Sequence, residues 1–170
     1  HDSLGGEGMY IGSTQQANFA QHKIVDISIT NNRVLRTGAE GIQLGQVSGN
    51  SVIRNNVVLF TGLKWRTAFQ PAQDHNTQIA HREGVTTVTR NIFVGTPNFM
   101  LNVHNISNSG YDAGSDNPLP SDGIFFRHNL VGATRRAGPM LKNAYAAPAG
   151  YKFEWANNDF FGYRFSYDTV

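Results

Sequence analysis

The chain has no cysteine, few charges and no long apolar run, and each shortage removes a class of protein. Without cysteine there are no disulfides and no thiolate metal sites. Charged residues make up 15% of the 170, against roughly a quarter in an average soluble protein. The 14 Lys and Arg and 12 Asp and Glu are scattered, so no basic block of the kind that tracks nucleic acid is present. No apolar segment approaches the roughly 18 residues of a membrane span. Sustained 3.5–3.6 periodicity rich in Ala, Glu, Lys and Leu is also missing, which removes coiled coils and helix bundles.

What is present is punctuation and bulk. Glycine occurs 18 times and asparagine 17 times. The 11 Phe, 6 Tyr and 2 Trp, with many Val and Ile, are enough to bury a core and argue against disorder. This composition predicts a turn-rich, all-β chain.

The asparagines are ordered. Five segments align on one column, Asn32, Asn56, Asn91, Asn129 and Asn158. Three places earlier stands Ile29, Ile53, Val88, Phe126 or Trp155, and two places later Val34, Val58, Phe93, Val131 or Phe160. A glycine follows each, at Gly38, Gly62, Gly95, Gly132 and Gly162. A second motif lies between the copies: Glu7–Gly12 matches Glu40–Gly45, with Thr77–His81 and Phe99–His104 as looser relatives. Short alternating segments bounded by Gly and Asn are half-buried strands.

Such a repeat predicts a solenoid, in which no coil buries its apolar face alone. Stacking places equivalent positions about 4.8 Å apart. The asparagine column can then occupy a left-handed bend and hydrogen-bond its neighbours as a ladder. The competing architecture, a β-sandwich, has no reason to repeat one column five times.

With these residues in view, the chain resembles the right-handed parallel β-helix, pectate-lyase-like proteins over nearly its whole length. The resemblance implies an all-β, right-handed parallel β-helix solenoid of about five to six coils. Residues 1–170 form one domain with loop insertions at 63–76 and 105–122, and Asp159–Gly162 looks like a closing coil of bacterial exported members. The chain is expected to be the C-terminal coils of a larger protein, with missing coils or another protein chain covering the N-terminal end. An extracellular or bacterial cell-surface location follows from the same resemblance.

The insertions wall a predicted groove whose floor, by alternation, carries Tyr10, Gln43, Gln78 and Asn102, with Ser13, Gln46 and His81 at its edge. Amides and aromatic rings suit a sugar chain, which offers hydroxyls and C–H faces. Lys64, Trp65 and Arg66 in the first insertion can bind an acidic sugar, since arginine pairs carboxylates bidentately. His81 and Arg82 are the candidates for proton transfer and charge stabilisation. Bland readings compete at each place: a loop anchored by Trp65, a salt-bridged turn at His81-Arg82-Glu83. Asp112, Asp116 and Asp122 offer oxygens for Ca²⁺ without matching a defined calcium loop.

A sharper resemblance sits at Gly5-Gly6-Glu7-Gly8-Met9-Tyr10-Ile11-Gly12. It is similar to the Asn-Gly-Gly-Glu-x-Ile-Arg-Ile-Gly motif of chondroitinase B-like and alginate lyases. That likeness implies Glu7 in a calcium-supported site and Arg82 near the assisting arginine. Tyr10 replaces the motif's arginine, and no lysine base stands near Gln46. The expected function is polysaccharide recognition or cleavage of lyase or glycosidase type, with Ca²⁺ or no cofactor. The alternative is a non-catalytic structural or adhesive surface solenoid.

Overall fold

A computed structural model describes residues 6–12, 24–63, 75–81, 83–104, 122–141 and 151–162. Among these there are fourteen strands and no helix. They are β1 (Met9–Ile11), β2 (Ile24–Val25), β3 (Ser28–Thr30), β4 (Arg33–Leu35), β5 (Ile42–Ser48), β6 (Asn50–Arg54) and β7 (Val57–Leu59). The rest are β8 (Thr77–His81), β9 (Val85–Thr89), β10 (Ile92–His104), β11 (Gly123–Arg127), β12 (Leu130–Leu141), β13 (Lys152–Ala156) and β14 (Asp159–Phe161). The protein is all-β, and every recorded strand pairing is parallel.

The ladders join equivalent positions of successive repeats. One sheet runs β3-β6-β9-β11-β13. It brings Ile29 onto Ile53, Ile53 onto Val88, Val88 onto Phe126 and Phe126 onto Trp155. The second motif is equally in register: Tyr10 stands beside Gln43, Gln43 beside Gln78, and Gln78 beside Asn102. β10 serves two ladders. Its first residues pair with β7 and its last with β8, and the direction changes at Gly95, whose φ is 75°.

The asparagine column forms the predicted ladder. Asn32, Asn56, Asn91 and Asn129 each donate their backbone N–H to the Oδ1 of the next asparagine at 2.9–3.0 Å. Each Nδ2 donates to that same Oδ1 at 3.0 Å. The left-handed residue, however, is the one before: Asn31, Asn55, Arg90, His128 and Asn157, with φ of 53–61°. The expected double duty is divided, because the ladder asparagine must present both its N–H and its side chain along the stack.

Two further columns were not anticipated. Four residues beyond each ladder asparagine lies a second left-handed corner, at Arg36, Phe60, Gly95, Ala133 and Gly162. One residue later comes buried threonine, at Thr37, Thr61, Thr96 and Thr134. The glycines picked from sequence meet that corner only at Gly95 and Gly162. Gly62 is itself left-handed, with φ of 67°, one residue past its threonine, whereas Gly41 answers to crowding: a Cβ on it would lie 2.3 Å from Val58 Cγ1.

The interior is a continuous apolar cluster from Ile29 to Val131. It changes from aliphatic to aromatic along the stack. Phe93 and Phe126 have ring centroids 5.8 Å apart, and Phe126 and Trp155 4.3 Å apart at 10° between planes. β14 is exposed along its length.

Candidate functional site

Alternation along β5, β8 and β10 separates two faces. Ile42 and Leu44, Ile79, and Leu101 and Val103 enter the core. Gln43, Gln78 and Asn102 point the other way, in one column with Tyr10 as predicted. The difference lies in exposure. Tyr10 is half exposed at 49%, whereas Gln43, Gln78 and Asn102 are buried. Asn102 Nδ2 donates to Gln78 Oε1 at 2.9 Å. The file of amides is therefore covered, not an open floor.

His81 sits elsewhere than its expected place at the groove edge. Three residues beyond Gln78, alternation turns it to the opposite face, where it pairs with Val47 of the core. It is fully buried. Its Nδ1 shares a 2.6 Å hydrogen bond with the Tyr151 hydroxyl, and the two rings meet edge to face with centroids 5.6 Å apart. Nε2 has no hydrogen-bond partner of standard geometry among the described residues.

Burial sets the chemistry of this pair. Loss of solvent lowers the His81 pKa to about 4, although the charge of Asp122 and a backbone hydrogen bond at Gly84 favour the cation. Desolvation, then the same Asp122, pushes the Tyr151 hydroxyl well above its ordinary range. At neutral pH both groups are uncharged. A neutral imidazole can accept a proton, and this one is fully buried. The cluster links three successive repeats: His81 ends β8, Asp122 precedes β11 and Tyr151 precedes β13.

Glu7 is half-buried at the N-terminal side of β1. Gly8 N donates to Glu40 O at 2.9 Å, and Gly41 N to Asn76 O at 2.9 Å. These bonds stack Glu7, Glu40 and His75 in one column. Glu40 and His75 are fully buried, and the His75 ring lies 6.1 Å from that of Phe99. The match between Glu7 and Glu40 in the second motif was the available sign of this column. Among the described residues no group of three or more His, Cys, Asp or Glu can hold a metal ion. Arg82, Lys64, Trp65, Arg66, Ser13, Asp112 and Asp116 lie outside the described residues.

An open cavity of about 260 Å³ occupies the second corner, lined by Phe60, Thr61, Gly62, Leu63, Gly95, Thr96, Pro97 and Ala133. None of these is charged. Phe60 and Leu63 are half exposed, and Phe60 holds a left-handed φ of 57°, unusual for a bulky residue. Its ring is thereby presented where the 63–76 insertion leaves the stack. Sequence reasoning missed this site because nothing marks Phe60 as a corner until the turns are superimposed.

No helix of the described residues is long and apolar enough to cross a membrane. The chain matches no family model, no curated protein and no solved structure.

Proposed function

We propose that this chain is a right-handed parallel β-helix that recognises a polysaccharide at its loop-bearing corner, on a bacterial surface or outside the cell. Support for the architecture comes from five repeats joined by parallel ladders, position for position. Right-handedness follows from the general rule for parallel crossovers. Support for recognition comes from the uncharged cavity beside the exposed Phe60 ring, which offers an apolar plane to a sugar C–H face. Recognition is favoured over cleavage because the proton-transfer candidate His81 is enclosed. Glu7 and Ca²⁺ are not needed for this reading.

The test is a binding screen of the chain against neutral and anionic polysaccharides, with ultraviolet absorbance followed for unsaturated products. Binding without product, weakened about tenfold or more by Phe60→Ala, is the expected result; loss of one ring contact costs on the order of 1–3 kcal/mol. Product formation would replace recognition by lyase action. The second reading, a rigid structural or adhesive spacer, is favoured by the burial of Gln43, Gln78 and His81. Failure of every polysaccharide to bind a folded chain would select it.

A further inference from the structure

Charges that lie scattered along the sequence are brought into line by the stack. Arg54 and Arg127 stand in register on either side of Thr89, so their backbones lie about 10 Å apart, two strand spacings. Arg90 takes the left-handed position next to Thr89, and Arg33 stands beside Val57. Arg33, Arg54, Arg90 and His128 are exposed. Arg127 is paired with Glu154, its guanidinium 4.4 Å over the Phe125 ring.

These residues share one bend, from two places before to one place after Asn32, Asn56, Asn91 and Asn129. Over those positions the four repeats carry four arginines and His128, and no Asp or Glu. The whole chain is only +2, so taking away these four leaves −2 for the remainder. In the next repeat the bend carries Asp159.

Apolar side chains stand on the same bend. Ile92 and Leu130 are paired neighbours, 37% and 38% exposed, and Val57 continues their column. Alternation turns these three outward, because Val58, Phe93 and Val131 enter the core. The ladder bonds hold every bend at the same place in its repeat. Cations and aliphatic side chains therefore follow one straight ridge and can meet a single plane together. A nucleic-acid strand would find no Phe, Tyr or Trp at these positions on which to stack its bases. A lipid boundary accepts both kinds of group: headgroup phosphates pair with guanidinium, and aliphatic side chains enter beside the acyl chains.

We propose that this ridge docks the protein on a membrane surface rich in anionic phospholipid, as a peripheral contact. The ridge lies at the other end of β7 from Phe60, so the proposal does not rest on polysaccharide recognition.

Co-sedimentation with vesicles tests it, using phosphatidylcholine alone or mixed with phosphatidylglycerol. Wild type is expected to bind the mixed vesicles only, and to be released as salt screens the charges. Arg54→Thr with Arg90→Asn installs residues that the chain itself places in those columns, at Thr30 and Asn31. This variant should bind about thirtyfold more weakly. Ile92→Thr with Leu130→Thr should weaken binding about tenfold. Urea midpoints near wild type establish that both variants fold. Equal binding to both vesicle types, or to wild type and the arginine variant, overturns the proposal. Loss in the arginine variant alone, or binding to soluble heparin without binding to vesicles, would overturn it in favour of a linear polyanion. Release by inorganic phosphate at constant ionic strength would replace surface docking by a simple anion site.

Discussion

The Asn91 side chain takes part in four hydrogen bonds: two accepted from Asn56 and two donated, to Ile53 O and Asn129 Oδ1. It is buried, so water cannot replace a lost partner. Asn91→Ala strands the Asn56 N–H and the Ile53 carbonyl, and should cost about 3 kcal/mol or more. Asn32→Ala removes a side chain at the half-exposed end of the ladder and should cost about 1 kcal/mol. Urea denaturation of both decides the matter. Equal costs would mean that the column is decoration and that apolar stacking alone holds the bend. The left-handed position beside it is more permissive, since Arg90 and His128 occupy it as well as asparagine. There the side chain points to solvent and only the backbone is constrained.

Between elements, the strongest statement concerns β8 and the segment entering β13. The His81–Tyr151 bond joins residues 70 apart, skipping the repeat that contains β11. Its cost appears in acid. His81 has a folded-state pKa of about 4 against 6.5 for the free side chain, so the unfolded chain takes up the proton first. Stability is whole above pH 6.5 and falls as the pH drops from there toward 4, by about 3 kcal/mol in all. The urea midpoint should therefore decline over that window in wild type and decline less in His81→Phe. An equal decline in both would assign the acid sensitivity to carboxylates. The Tyr151 shift acts at the other extreme, with stability lost as the pH rises above 10.

At the scale of the molecule, the described strands are joined repeat to repeat by parallel ladders in two sheets. The repeat of β13 and β14 is held to its neighbour by the β11–β13 and β12–β14 ladders, the Asn129–Asn158 bonds and the Trp155 ring between Phe126 and Phe160. Trp155→Ala should loosen that repeat alone. Hydrogen exchange in β13 and β14 is expected to accelerate on the order of tenfold or more, with β6 and β9 unchanged. Uniform acceleration would mean that the stack melts as one unit.

Much of this architecture was readable in the residues, because a stacked repeat writes the same contact at the same column in every turn. The Asn32–Asn158 column, the apolar columns at −3 and +2, and the alignment of Tyr10, Gln43, Gln78 and Asn102 needed only spacing and alternation. The site was less readable. Strand alternation says which face a side chain takes, but not whether that face is covered, so Gln43 and Gln78 looked like an open floor. His81 meets Tyr151 through which repeat lies above which, and Phe60 becomes a presented ring only once its corner is superimposed on Arg36 and Gly95. Periodicity is local chemistry repeated, and a sequence carries it in full. Burial and the pKa of His81 depend on what stands beside each group across tens of residues, and only the folded chain settles that.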